Sequence, residues 1–334
     1  MNYRVDRAAA GLLIGFLLLG GCEDATAPQV YSRAELIARM QLPDTFPRSA
    51  LSLSESQVEV EYRNRFGSDS DGFNVPVTDQ KLVELAHECL EYNPNFENPD
   101  ERDLAQIASE FDLDFEEVEP NFAEIREVYI AKVRYEMYRS ISDDKSLGGP
   151  GERPNQLAAQ SPTWIPNGTE RKLLVLNPHL AVGTSLAIAH AFTAATAYGG
   201  ALHADGSRSN AYKHALMNAL IVVYTRLYFN TVAGATGWAQ RFTDAHELNP
   251  PRDPRDRDMD IHNNRAGRNY ISSRSTPTKY FGVGGPNAID VTSALRQKAD
   301  VARCFRLSDE IDNEYLDELV YFRTNDGTKE CSGS

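Results

Sequence analysis

Apolar residues recur at spacings of three and four through most of this chain, which is the pattern of amphipathic α-helices. The clearest case is residues 121–138, whose apolar face comprises Ile125, Val128, Tyr129, Val133 and Met137. Similar patterns predict helices from Ser32 and over 78–92, 100–111, 209–231, 238–248, 258–273 and 289–305, with a turn at 234–237. Strand-like segments are short, at 58–62 and 319–322. The sequence therefore predicts a mainly α fold with minor β structure.

A segment rich in Gly, Pro, Ser, Asn and Gln at 142–169 is the best interdomain linker in the chain. It separates an acidic helical region, 32–141, from a predicted helical domain, 170–334. This domain begins with an Ala-rich apolar stretch at 178–198, which approaches the length of a membrane span. Because Thr, Ser and His interrupt the stretch, we expect a buried, closely packed helix there.

The N-terminus combines Arg4 and Arg7 with an apolar run at 8–19 that is shorter than the ~20 residues needed to span a bilayer. Gly20, Gly21 and Cys22 follow directly. This layout resembles a bacterial lipoprotein signal. The resemblance implies cleavage of a signal peptide at 1–21, acylation of Cys22, and a tether at 22–31 that leaves the membrane. It places the protein in the cell envelope, lipid-anchored, with the outer membrane favoured over the inner one by the residue after Cys22.

The net charge limits the classes of molecule that this protein can bind, and the cysteines indicate which disulfide it can form. The formal net charge is −14, and residues 1–21 contribute a net positive charge, so the mature chain is still more acidic. Such a chain is repelled by nucleic acid and anionic lipid, so nucleic acid is excluded and the lipid must provide membrane attachment. A protein or glycan partner stays open. An exported chain can form disulfides, and the predicted pair is Cys304–Cys331, with Cys89 left on an apolar helix face.

Three short stretches concentrate His, Asn and acidic side chains: NAYKHALMNA at 210–219, DAHE at 244–247 and MDIHNNRAGR at 259–268. Each lies on a predicted helix, and the connections between these helices are short. Since short connections make consecutive helices neighbours, the three clusters are expected to meet. On one helix His214 and Asn218 share a face, and on another Asp260 shares a face with Asn263 and Asn264.

Residues 175–270 resemble a bacterial domain of unknown function found in exported, wall-associated and toxin-like proteins, with a pattern of roughly DAxRHAxWNA, AHE and MDxxNNxxGR. Here Asn210 replaces the acidic residue, Lys213 the Arg and Met217 the Trp. The resemblance marks a site and names no reaction. Whether the three departures abolish the activity of the family stays open.

Two hypotheses follow. In the first, the protein is a metal-assisted hydrolase or a ligand-binding protein. His214, His246 and Asp260 would hold a divalent cation with an open position for water. The catalytic residues would be His246, Glu247 and Asp260, and the ligand-binding residues His214, Asn218, Asn263, Asn264 and Arg268. In the second hypothesis the same residues form a buried polar network in a non-catalytic envelope or interaction protein. The sequence has no HExxH spacing, so it leaves both hypotheses open.

Overall fold

A computed structural model describes the fold for most of the chain. The described residues are 28–69, 72–73, 77–91, 93–94, 96, 99–143, 166–200, 204–248, 253–278, 282–305, 317–325 and 327–331. The predicted signal peptide, Cys22, most of the tether and most of the linker lie outside these residues, so these assignments stay predictions.

The described residues are mainly helical, as the sequence predicts. In chain order the helices are α1 (Arg33–Arg39), α2 (Glu55–Phe66), α3 (Asp79–Leu90), α4 (Glu101–Phe111), α5 (Phe115–Asp143), α6 (Gly168–Leu176), α7 (Pro178–Gly199), α8 (Arg208–Thr225), α9 (Val232–His246), α10 (Pro254–Ser272) and α11 (Ala288–Asp300). Short 3₁₀ helices occupy Arg48–Ser52 and Arg226–Tyr228. Side-chain caps start most helices; Ser32 and Glu35, for example, form a capping box at α1.

Within the described ranges, the strands are two residues long and form three separate pairs. The antiparallel pairs are β1 (Ser68–Asp69) with β2 (Gly72–Phe73) and β3 (Thr276–Pro277) with β4 (Val283–Gly284). The third pair, β5 (Arg303–Cys304) with β6 (Val320–Tyr321), is parallel and joins the two ends of the C-terminal segment. The expected strand at 319–322 corresponds to β6.

Two local expectations were wrong. Residues 58–62 lie inside α2 and not in a strand, because Ser54 caps the helix and Glu59 pairs with Arg63 one turn later at 2.6 Å. Residues 234–237 lie in the first turns of α9 and not in a turn between helices. The Thr231 side chain accepts a hydrogen bond from the backbone N–H of Gly234, which starts the helix despite two glycines.

Helix α8 forms the centre of the C-terminal half. It packs against α7, α9, α10 and α11, and also contacts β6. Nearly every residue from Ser209 to Val223 is buried, on all faces of the helix. A helix that is buried on every side can bring polar residues together only if its neighbours provide their hydrogen-bond partners.

Helix α7 is the one described helix that is long and apolar enough to span a membrane by length and composition. Its mean hydropathy over the scored window is 1.4, and 39% of that window is buried. The helix packs lengthwise on α8 and also contacts α3, α5 and α6. The buried positions include Ala181, Ala187 and Ala191, small residues that allow this close approach. One face of α7 is therefore closely packed, as expected, whereas the other face is not buried; Leu186, for example, is 54% exposed.

The described residues form two main hydrophobic clusters and a small third one made of Met259, Phe305, Val320 and Phe322. One is built from α1, α4, the 3₁₀ helix at 48–52 and the first half of α5. The larger cluster combines α6–α11 with residues from the N-terminal region, such as Tyr62 on α2, Leu82 on α3 and Met137 on α5. The N-terminal region therefore contributes side chains to the core that supports α8.

Candidate functional site

Helices α8, α9 and α10 bring three ionisable side chains together at the end of α9. His214 comes from α8, Glu247 from the C-cap of α9 and Asp260 from α10. His214 Nε2 lies 3.2 Å from Asp260 Oδ1, and His214 Nδ1 lies 3.7 Å from Glu247 Oε1. One ligand atom from each residue lies within 4.8 Å of the other two, and all three residues are buried. We call these three residues the His–Glu–Asp cluster.

The close approach of α8 and α10 depends on Gly267. A Cβ atom at this position would overlap the backbone carbonyl of Ala215 on α8. The two helix backbones therefore pack closer than any larger residue allows. Asp260 lies two turns before Gly267 on α10, and His214 directly precedes Ala215 on α8, so this contact helps to set their separation.

Asn264 orients two members of the cluster. Its amide Nδ2 donates to Glu247 Oε1 at 3.1 Å, and its Oδ1 lies 3.3 Å from His214 Nδ1. Because an amide oxygen only accepts hydrogen bonds, the hydrogen of His214 in this contact is on Nδ1. Nε2, which faces Asp260, then carries a lone pair when the imidazole is neutral.

A second layer fixes Asn264. Asn218 Nδ2 donates to Asn264 Oδ1 at 2.6 Å and to the backbone oxygen of His214 at 3.1 Å. Asn218 Oδ1 accepts from Arg268 Nη1 at 2.7 Å and from Thr243 Oγ1 at 3.1 Å. The polar atoms of the Asn218 amide are thus all engaged, and the guanidinium of Arg268 reaches the cluster only through this amide.

Asn210 borders the other side of the cluster. Its Nδ2 donates to Asp260 Oδ1 at 3.0 Å, while its own Oδ1 is buried without a hydrogen-bond partner among the described residues. Asn210 is fully buried. An unpaired buried oxygen costs about 1–3 kcal/mol, so it needs an explanation at this position.

The pKa values of the cluster are displaced in opposite directions. Burial, followed by the positive charges of Lys213 and His246, lowers the pKa of His214 well below its usual value. Burial and the neighbouring Glu247 charge raise the pKa of Asp260 well above its usual value, and burial also raises the pKa of Glu247. Both pKa shifts are consistent with a neutral His214 beside a protonated Asp260. The carboxyl proton of Asp260 is then donated to Nε2 of His214.

His246 lies beside the cluster and not within it. Its Nδ1 is 3.0 Å from Glu170 Oε1, and its ring centroid is 6.2 Å from that of His214. Burial lowers the pKa of His246, but the hydrogen bond and charge of Glu170, with the charge of Glu247, outweigh this effect and raise the pKa overall. The His246 side chain is 36% exposed, whereas Glu170 is buried. This pair thus lies between the buried cluster and solvent.

Not every predicted site residue joins the cluster. The Asn263 amide donates to the backbone oxygens of Met259 and Val320 and accepts from the backbone N–H of Val320 at 3.0 Å. His262 Nε2 lies 3.0 Å from the backbone oxygen of Glu318. Both side chains hold the C-terminal segment onto α10, and Asn263 has no role in the cluster. His246, a predicted metal ligand, is replaced in the cluster by Glu247.

Two residues of the site were missed in the sequence. Glu170 lies on α6, which was not among the predicted helices, and Thr243 lies one turn before His246 and Glu247 on α9. For Glu170 a signal exists, because Asn167 and Glu170 have the spacing of a capping box and form one in the structure. Asn167 also donates to the backbone oxygen of Ala245, which ties α6 to α9 next to His246.

Most polar residues of this site lie in a segment that matches a known family model. Residues 171–284 match the family model described as a domain of unknown function, DUF6973. The matched segment contains all three members of the His–Glu–Asp cluster and begins one residue after Glu170. No curated protein and no solved structure matches the chain. The match therefore supports the expected domain of unknown function and attributes no activity to it.

Proposed function

We propose that the His–Glu–Asp cluster binds a divalent metal ion and that the domain is a metal-assisted hydrolase. The observation that carries this proposal is the mutual distance of at most 4.8 Å among one imidazole nitrogen and two carboxylate oxygens. A set of one nitrogen and two oxygens suits Zn²⁺ or Mn²⁺. Three protein ligands leave a position for water, whose pKa a bound metal lowers.

The groups around the ligands support a metal site. Asn264 faces His214 Nδ1 with an acceptor and leaves Nε2 with its lone pair toward Asp260, and the same amide donates to Glu247. Metal-binding imidazoles and carboxylates are commonly oriented by such outer partners. A cation would take the place of the proton that Asp260 and His214 share. It would also give the unpaired oxygen of Asn210 a nearby positive charge.

The Glu170–His246 pair supplies the acid–base group of the proposed reaction. A carboxylate behind an imidazole fixes the ring and favours its protonated form, as the raised pKa of His246 indicates. The partial exposure of His246 lets a substrate approach from solvent.

A second candidate function is a non-catalytic envelope or interaction protein in which the cluster is structural. The observation that favours it is the complete hydrogen bonding of the Asn218 amide by four different partners. Buried polar networks of this kind fix one packing arrangement when they are satisfied. In this case Asn264 and Arg268 serve packing, and no metal is needed.

Metal titration separates the two functions. Metal-free full chain is titrated with Zn²⁺ and with Mn²⁺ by calorimetry, alongside the variants Asp260→Asn and Asp258→Asn. Asp258 is exposed on the same helix and provides the matched control. We expect one bound ion per chain, at least about 100-fold weaker binding in Asp260→Asn, since even outer partners of ligands contribute 10–100-fold, and unchanged binding in the control. No binding, or equal binding by both variants, would refute the metal centre.

Membrane anchorage is a separate proposal. It rests on the apolar run at 8–19 followed by Gly20, Gly21 and Cys22. Acyl chains on Cys22 would hold the acidic domain at a membrane surface that its charge does not attract. Mass spectrometry of the mature N-terminus is expected to find an acylated Cys22, and Cys22→Ser is expected to remain unacylated. A mature chain that begins elsewhere would contradict this proposal.

A further inference from the structure

A cavity of about 200 Å³ lies between the N-terminal region and α7, away from the His–Glu–Asp cluster. Its walls come from the end of α3, from Asn93, Pro94 and Phe96, from the middle of α5, from the start of α7 and from the 3₁₀ helix at 226–228. No member of the His–Glu–Asp cluster lines it. The residues that matter most for its chemistry are Phe96, Arg126, Tyr129, His179 and Tyr228.

Arg126 places a buried positive charge in the wall of this cavity. The residue is 2% exposed, although its guanidinium contacts Asn230 and lies 3.4 Å from Glu127. The Glu127 side chain is itself 42% exposed, so this neighbouring charge is partly screened by solvent. Burial lowers the pKa of Arg126. The planar guanidinium of Arg126 carries N–H donors whose geometry suits a carboxylate at this wall.

His179 provides a second polar group in the same wall. It is 6% exposed, and its Nδ1 has no hydrogen-bond partner among the described residues. Its ring packs edge-on against Tyr228, with centroids 5.3 Å apart. Burial, followed by the charges of Arg134 and Arg126, lowers the pKa of His179 well below its usual value. The ring is therefore neutral and has an unused hydrogen-bonding nitrogen.

The remaining walls are apolar apart from Asn93. Phe96 and Tyr129 meet edge-on with centroids 5.1 Å apart, and Ile130, Val133 and Leu227 complete the lining on this side. An apolar pocket with a few polar groups is the usual form of a small-molecule site. The volume admits only a small ligand.

We infer that this cavity binds a small carboxylic acid with an aromatic or branched apolar group, its carboxylate on Arg126 and His179. The planar guanidinium matches a carboxylate, and His179 can donate through its unused Nδ1. The apolar group would lie against Phe96 and Tyr129. A phosphate is disfavoured, because it brings a second negative charge that a single guanidinium and a neutral imidazole do not compensate.

Calorimetric titration of the full chain tests this inference with phenylacetate, phenylacetamide and inorganic phosphate. We expect phenylacetate to bind once per chain, and the amide and phosphate to bind at least about tenfold more weakly, since a hydrogen bond to a charged group contributes about one order of magnitude or more. Binding should also raise the melting temperature in a concentration-dependent manner. Absence of phenylacetate binding, or equal affinity for the amide or phosphate, overturns the inference.

Variants locate the site. His179→Phe keeps a ring against Tyr228 but removes the nitrogen, so phenylacetate affinity should fall about tenfold while the protein stays folded. Arg126→Gln should reduce the affinity further, and Arg139→Gln, an exposed arginine on the same helix, should leave it unchanged. If Arg126→Gln does not fold, the phenylacetate affinity of His179→Phe provides the test. Unaltered affinity in His179→Phe means that the carboxylate binds elsewhere and overturns the inference.

Discussion

The contact between Gly267 and Ala215 should control both the stability of the helix core and the geometry of the His–Glu–Asp cluster. In Gly267→Ala, the new methyl group would meet the backbone carbonyl of Ala215. A flexible side chain could rotate away, but a helix carbonyl is fixed by its own hydrogen bond. Helices α8 and α10 must therefore separate, or one must shift along the other.

Two opposing effects determine how far Gly267→Ala changes the free energy of unfolding. Extra volume in a packed interface costs about 1–3 kcal/mol, and the overlap with backbone atoms favours the upper part of this range. Alanine is better than glycine in a helix by about 1 kcal/mol. The expected net loss for Gly267→Ala is therefore about 1–2 kcal/mol. Gly237→Ala on α9 is the matched control, because nothing lies within 4 Å of its added methyl group. This control should gain about 0.5–1 kcal/mol.

Urea unfolding of the two variants and the parent protein measures these changes, with unchanged m-values as the sign of an unaltered two-state transition. A zinc titration of the same samples measures the zinc affinity of the His–Glu–Asp cluster. His214 and Asp260 lie on the two helices that must separate, so Gly267→Ala should bind zinc more weakly and Gly237→Ala should bind it normally. If Gly267→Ala is as stable as Gly237→Ala, the proposed close contact does not limit the packing of α8 on α10.

Four further predictions address the site and its surroundings. Asn210→Asp should lower the melting temperature without metal, because it places a second carboxylate beside Asp260, and should raise zinc affinity; unchanged affinity would argue against Asn210 as a neighbour of the ion. Zinc affinity should rise with pH through the raised pKa of Asp260, since the bound form needs the deprotonated carboxylate; titrations in buffers of different ionisation enthalpy would detect the released proton, and a pH-independent affinity would count against the cluster as ligands. Glu170→Gln should lower the pKa of His246, measured by NMR titration. An unchanged pKa would show that the two side chains do not interact in solution. Asn263→Ala should destabilise the protein by about 1–3 kcal/mol in urea unfolding without changing zinc affinity, whereas a loss of zinc binding would place Asn263 in the site after all.

Much of the fold is accessible from the sequence because its helices carry strong local signals. The capping box of Ser32 and Glu35 and the apolar face of residues 121–138 both correspond to observed helices. Residues 58–62 show the limit of such signals. Their apolar residues alternate as in a strand, but the Glu59–Arg63 pair and the cap at Ser54 favour a helix.

The site could be predicted only in part, because helix periodicity gives a face and not the element that contacts it. Asp260, Asn263 and Asn264 fall on one broad face of α10, and adjacent positions on a helix still differ by about 100°. Asn264 therefore meets α8 and α9, while Asn263 meets β6 of the C-terminal segment. Glu170 shows the same limit, since its role requires the tertiary contact of α6 with α9.

A disulfide braces the C-terminal segment that packs on α10. Asn263 binds both backbone polar groups of Val320 in β6, the partner strand of β5, and a disulfide joins Cys304 of β5 to Cys331. This bridge spans 27 residues of sequence, which in the chain-entropy treatment corresponds to about 3–4 kcal/mol. It holds the segment against α10, where Asn263 binds Val320. A domain braced in this way is best suited to an oxidising compartment, which is what the lipoprotein-like N-terminus independently predicts.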